Sequence, residues 1–332
     1  MKRITIKDIA ALAGVNISTV SRALKDHPDI GLTLRDKIKK LAQDLHYHPN
    51  MMAVQLRRQK SRTIGLIIPD TNTFFIPSLI KGISSMVKQH GYRLLVLQSG
   101  ESFEQEIENV HICNEYGVEG LLISLTNKTE HLEHLDAIQE AGISVVLVDK
   151  ILENTHFDSV IIDDSLATAT CLDYLLQTGC TRILGMFGNP KMNISLKRLR
   201  GFEDKIQNCK GIKATHLFAD DTFAAWEGVE TTYPNFKPDG IFAMSDETMA
   251  GVIPALKRLK VKIPQECAVI GISDGYLPRI LDPEVTYLHH DGFNLGKKAA
   301  ERLFVRLNQK FEQLGQIDLS CPTALVINKS TR

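Results

Sequence analysis

The chain has 332 residues, enough for two or three folded units, and its 43% hydrophobic content includes no apolar run of membrane-spanning length. Six cysteines form no CxxC pair and no apolar leader core follows the basic start, so the expectation is a cytoplasmic chain without disulfides, metal or cofactor. The net charge of zero hides a split: residues 1–62 carry thirteen Lys or Arg against five Asp, net +8, and the remainder carries 26 basic against 34 acidic side chains, net −8. A basic segment ahead of an acidic body predicts a nucleic-acid-binding head on a separate globular body.

In the head, Ile6, Ile9, Ala10 and Ala13 recur at one-faced helical spacing. Gly14 relieves the steric cost of a sharp turn, and Asn16 is a good N-cap for a second helix. On that helix Val20 and Leu24 share the face that packs on helix one, leaving Ile17, Ser18, Ser21 and Arg22 outward. A third helix is predicted over residues 33–45, with Leu34, Ile38, Leu41 and Leu45 inward and Lys37, Lys39 and Lys40 solvated. A short polar helix on a tight corner is the helix-turn-helix arrangement, whose second helix enters the major groove.

From Thr63 onward apolar runs alternate with helical periodicity. Strands are predicted at 63–68, 92–98, 118–124, 144–149, 181–186, 240–244 and 268–272, with helices at 76–90, 104–116, 130–141, 164–178, 196–209, 246–259 and 291–309. This alternation predicts an α/β body, and its many βα units argue for two doubly wound parallel-sheet subdomains. Ligands of such sheets bind beyond the carboxyl ends of strands. Phe74 and Phe75 follow the first strand, Asp149 and Lys150 end "SVVLVD", Ser245 and Asp246 follow "GIFAM", and Ser273 and Asp274 follow "AVIGI". "HLEH" puts His131 and His134 one turn apart but offers no further metal ligand, and no nucleophile elbow, Walker motif or nucleophile–base set is present, so no enzyme is indicated.

"IKDIAALAGVNISTVSRAL", "YHPNMMAVQLRRQKSRTIGLIIPD", "RLRGF", "PDGIFAMSDETMAGVIPALK", "IPQECAVIGISD" and the final "NKSTR" carry a specific resemblance. In that order, over nearly the whole chain, they resemble the lactose/galactose repressor (LacI/GalR) family of bacterial transcription regulators. The resemblance implies a body of periplasmic-binding-protein type behind the helix-turn-helix head. It implies a DNA-binding domain at 1–48, a hinge helix at 49–61 and an effector-binding and dimerisation domain at 62–332. Lobe one of that domain would span about 62–162 and 292–320, and lobe two 163–291 and 321–332.

By the same resemblance Ile17, Ser18 and Arg22 read bases, while Thr5, Asn16, Thr19 and Ser21 contact phosphates or base edges. The hinge supplies Asn50, a minor-groove wedge at Leu56 and a phosphate contact at Arg57. The chemistry suits these roles: Arg offers a bidentate fork to guanine, and an apolar wedge unstacks a base step. The strand-end residues above, with Arg198, Phe223 and His290, match effector-contacting positions, and aromatic faces beside bidentate polar groups suit a polyhydroxylated ring. The chain departs from the family pattern at Ser245–Asp246, at Gly271–Ile272–Ser273–Asp274 and at His290–Asp291, which leaves the effector open. His290 gives two expectations of equal standing, pH-sensitive binding near neutrality or a satisfied interface histidine. The implied partners are double-stranded operator DNA, a sugar or related metabolite, and a second copy of the chain. A solute receptor of periplasmic-binding type is the competing reading, but it predicts an export signal and no basic head.

Overall fold

The computed structural model describes residues 4–47, 61–152, 155–308 and 316–332. The chain divides into two units, Met1–Ser61 and Arg62–Arg332. The predicted hinge, with Asn50, Leu56 and Arg57, lies outside the described residues.

In the first unit, α1 (Ile6–Ala13) starts on a capping box: Thr5 accepts from the backbone of Asp8 while the Asp8 carboxylate accepts from Thr5. Gly14 closes the helix at φ 71°, a left-handed turn that a Cβ would strain. Next come α2 (Ile17–Ala23) and α3 (Leu32–Asp44). Ile9, Val20, Ala23 and Ile38 are fully buried at the junction of the three helices, and each such aliphatic side chain stabilises the fold by about 1–3 kcal/mol. Asn16 holds the N-cap position of α2, but its side chain makes no capping bond. Lys39 is not merely solvated: its Nζ lies 2.5 Å from Asp26, and Arg35 donates to the carbonyls of Ile30 and His27, so these cations stitch α3 to the preceding turn.

The body begins with β1 (Thr63–Ile68), α4 (Ile76–Gln89), β2 (Arg93–Gln98), α5 (Phe103–Glu115), β3 (Gly120–Ile123), α6 (Glu133–Glu140), β4 (Ser144–Val148) and β5 (Asp158–Ile161). It continues through α7 (Asp164–Gln177), β6 (Arg182–Phe187), α8 (Asn193–Gln207), β7 (Lys213–Phe218), α9 (Thr222–Phe236), β8 (Gly240–Ala243), α10 (Asp246–Arg258), β9 (Ala268–Ser273), α11 (Leu277–Ile280) and β10 (Thr286–His289). The chain closes with α12 (Gly292–Asn308), β11 (Asp318–Ser320) and β12 (Ala324–Val326). Two six-stranded sheets result, ordered β11-β5-β4-β3-β1-β2 and β12-β10-β9-β8-β6-β7. Every described pairing is parallel except β12 on β10. The chain therefore passes from the first sheet to the second after β5, back with α12, and over again before β12. Central strands such as β4, β8 and β9 are buried along their whole length, which is why they read as unbroken apolar runs.

Two features pin the returning segment to the first lobe. A Cβ on Gly82 of α4 would sit 2.0 Å from the Phe293 carbonyl oxygen, and one on Gly296 of α12 2.3 Å from that of Leu79, so the two helices approach backbone to backbone. The buried Asp158 carboxylate accepts from Arg302 and Arg306 at 2.6 Å and from the Ile317 amide at 2.9 Å. Burial alone would raise its pKa, but the bonds from Arg306 and Arg302 hold it below the usual carboxylate value.

The predicted strands and helices all occur, with ends shifted by at most three residues. Sequence reading left out β5, β7, α9, α11, β10, β11 and β12.

Candidate functional site

Between the two lobes of the body lies a cavity of about 240 Å³, at the carboxyl ends of β1, β4, β6, β7, β8, β9 and β10. Phe75, at the start of α4, stacks on the His290 ring with centroids 4.3 Å apart. Opposite them Arg198, projecting from α8 and only 4% exposed, donates through Nε to Asp164 at 2.8 Å and through Nη1 to the Met244 carbonyl. Asp246, in the first turn of α10, accepts from the Ser273 hydroxyl, which itself accepts from the Gly275 amide at 2.9 Å. Lys150 pairs with Glu101 at 2.8 Å. Asp149 holds a left-handed backbone (φ 65°) at the strand end. Across the cleft, the Phe74 amide donates to Glu247 at 3.3 Å and the Asn193 side chain to the Ile151 carbonyl at 3.3 Å.

Withdrawal from water sets the protonation of this site. It pushes Asp149 up to about 6 and Asp246 up to about 7. It also drives His290 well below its usual value, with the nearby Arg198 charge acting in the same direction. The expectation that His290 titrates near neutrality is thus corrected: the ring is neutral there, and the titrating groups are the carboxylates. His290 Nε2 is buried without a hydrogen-bond partner among the described residues, a cost that a ligand bond would remove.

On the head, Ile17 is 43% exposed, and Asn16, Ser18 and Arg22 are also exposed along α2 and its cap. Thr19 and Ser21 are half-buried. The Arg22 guanidinium has no ion pair or hydrogen bond among the described residues. Thr5 is exposed, but its hydroxyl is engaged in the capping box.

Residues 5–50 match the family model described as bacterial regulatory proteins, lacI family, and residues 172–331 the periplasmic binding protein-like domain. The regulator RegA of Clostridium saccharobutylicum is 28% identical over 313 residues, covering 92% of this chain and 93% of that protein. The head is thus of the lacI family of bacterial regulatory proteins, and the body of the periplasmic-binding-protein-like kind. The repressor PurR of Vibrio atlanticus is 26% identical over 311 residues, covering 92% of each. Among solved structures, the Lac repressor dimer bound to operator and the anti-inducer ONPF superposes with a TM-score of 0.87 at 21% identity, covering 99% of both chains. The CelR–cellobiose complex gives 0.69 at 22%, covering 99% of this chain and all of that one. At those identities the likeness is one of fold. Like its lacI-family relatives, which are regulators rather than enzymes, the chain is a DNA-binding regulator of transcription.

Within this body, nine of the eleven expected effector positions line the cavity: Phe75, Asp149, Lys150, Arg198, Ser245, Asp246, Ser273, Asp274 and His290. Phe74 does not; it is the outer member of its pair, 36% exposed. Phe223 does not either: it sits in the first turn of α9, 77% exposed, on the outer side of the Asp221 cap. Ser245 lines the cavity and also caps α10. Sequence reading missed Asp70, Glu101, Asn189 and Asp220 in the lining. Asp70 and Asp220 each lie two residues past a strand, a signal available at β1 but hidden at β7, which was itself unrecognised. His131 and His134 do not form a metal pair, since His134 bonds the buried Glu106 at 3.0 Å while His131 lies near Glu133. Asp274, His289 and Asp291 offer ligand atoms within 4.8 Å of one another, but Asp274 already caps Gly292 and Asp291 caps Asn294.

Proposed function

We propose that this regulator is a cytoplasmic homodimeric repressor whose operator affinity is set by a small polyhydroxylated effector, a sugar or sugar-derived metabolite, held between the two lobes. The observation that carries the effector half is His290: a buried, neutral ring stacked on Phe75, with Nε2 unpartnered among the described residues, inside a cavity of about 240 Å³. An aromatic platform beside carboxylates, a guanidinium and a serine hydroxyl is the arrangement that grips a ring bearing hydroxyls. The DNA half rests on Arg22, a guanidinium without a partner among the described residues, beside exposed Ile17 and Ser18 on α2.

Two heads of a dimer would read half-sites about one helical turn apart, with Asn16, Thr19 and Ser21 at the phosphates. Residues 49–61 act as the hinge, Leu56 as its wedge, with Asn50 and Arg57 on the backbone. Effector seated in the cavity bridges groups from both lobes, including Asp149 and Asp246. The ligand therefore favours one lobe arrangement and shifts operator affinity by a coupling of about 1–3 kcal/mol. Genomic binding selection with purified full-length protein, followed by titration of candidate sugars into the selected complex, tests this. Enrichment of pseudo-palindromic fragments that a sugar releases or tightens is expected; no enrichment removes the DNA reading, and enrichment indifferent to every ligand removes the effector reading.

A further inference from the structure

Taking the inter-lobe cavity as the effector site, we infer that it is a charge filter: it accepts a polyhydroxylated ligand that is uncharged or carries an amine, and refuses phosphorylated and carboxylated ones.

The lining holds two cations among the described residues, and both are committed. Arg198 is 4% exposed, clamped between the Asp164 carboxylate and the Met244 carbonyl. Lys150 is held by Glu101 at 2.8 Å. Against them stand Asp149, Asp220 and Glu247, with Asp246 partly protonated at neutral pH, and none of the four makes an ion pair among the described residues. A phosphate or carboxylate entering here meets several carboxylates in a region partly shielded from water, where repulsion is poorly screened. An anion that reaches either cation must share Arg198 with Asp164 or Lys150 with Glu101, which weakens an existing pair.

Hydroxyl groups face no such obstacle. Each donates and accepts, so a ring of them satisfies the carboxylates and the neutral His290 ring together. The unpartnered, buried His290 Nε2 is the independent mark that a ligand bond belongs at this point. An ammonium on such a ligand adds ion pairing with carboxylates that lack a cation.

The test uses full-length protein and thermal shift at neutral pH and constant ionic strength. The probes are glucose, glucosamine, glucose 6-phosphate and gluconate, with the corresponding galactose set. We expect stabilisation by an uncharged or aminated member, and binding at least tenfold weaker by its phosphorylated and carboxylated counterparts. A phosphorylated or acidic member that binds as tightly as its parent overturns the filter and leaves the cavity standing as the effector site. Silence from the whole panel overturns the sugar reading, and the filter falls with it. Asp149→Asn is expected to narrow the gap between parent and phosphate at least threefold. Asp220→Asn, at an exposed position where folding is not at stake, narrows it in the same direction. A gap of unchanged size in both variants overturns the assignment to these carboxylates.

Discussion

At Arg22 a guanidinium stands on the exposed side of α2 with no partner among the described residues, whereas at Arg198 the same group is sealed between a carboxylate and a carbonyl. The first is available to guanine; the second holds a wall in place. Arg22→Ala is expected to relax preference at one base-pair position by about 1–3 kcal/mol in a binding selection. His290→Phe keeps the ring stacked on Phe75 but removes the unpartnered nitrogen. Melting temperature should hold or rise, since a buried unsatisfied atom is lost, while ligand response falls at least tenfold. Asp246 and Asp149, two of the raised carboxylates, give a pH signature. Asp246 is held near 7 by burial, with Glu247 and Asp274 opposing its ionisation and Ser273 favouring it; Asp149 is held near 6, with Asp164 opposing and Lys150 and Arg198 favouring ionisation. Their folded-state values lie above the unfolded value of 3.8, so the native chain binds extra protons between about pH 4 and 7 and loses stability as pH rises through that window. Ligand-free melting curves from pH 5 to 8 should show this decline, and Asp246→Asn should flatten it.

Among the elements, those that bury both faces or one regular stripe were legible: β1, β4 and β9 as apolar runs, α1 and α3 from their spacing. Those that escaped were short or edge-lying. β7, "KATHLF", is half-exposed along its length at a sheet edge, β5 is four residues starting on the buried Asp158, and α9 carries Pro234 inside it. Missing β7 hid Asp220, whereas Phe223 came from family likeness alone and lies outside the lining of the cavity. The order in which one sheet hands the chain to the other came from family likeness alone, because pairing across 150 residues leaves no trace in local periodicity. The α4–α12 contact is testable at this scale. Gly82→Ala and Gly296→Ala force a methyl into backbone and are expected to cost about 1–3 kcal/mol or more by urea unfolding. Gly31→Ala, with nothing within 4 Å of the added carbon, should cost no more than about 1 kcal/mol, the N-cap preference for Gly over Ala.

For the whole molecule, charge is divided as labour is: +8 over residues 1–62 and −8 over the rest. Operator affinity should therefore drop steeply with salt, by about 10³-fold or more between 50 and 200 mM if each dimer neutralises six or more phosphates. A logarithmic plot of affinity against salt measured by fluorescence anisotropy checks this, and a flat response would contradict electrostatic anchoring by the head. The interleaving of the two sheets has a consequence for biogenesis. Asp158 emerges from the ribosome early, yet its partners Arg302, Arg306 and Ile317, and the edge strand β11, emerge some 144 to 160 residues later. Lobe one must wait, with a carboxylate lacking its partners, while the whole of lobe two is translated. A nascent chain stalled before α12 should thus carry a protease-sensitive first lobe, and the order of synthesis makes the sensing body mature late, as a single act near the end of translation.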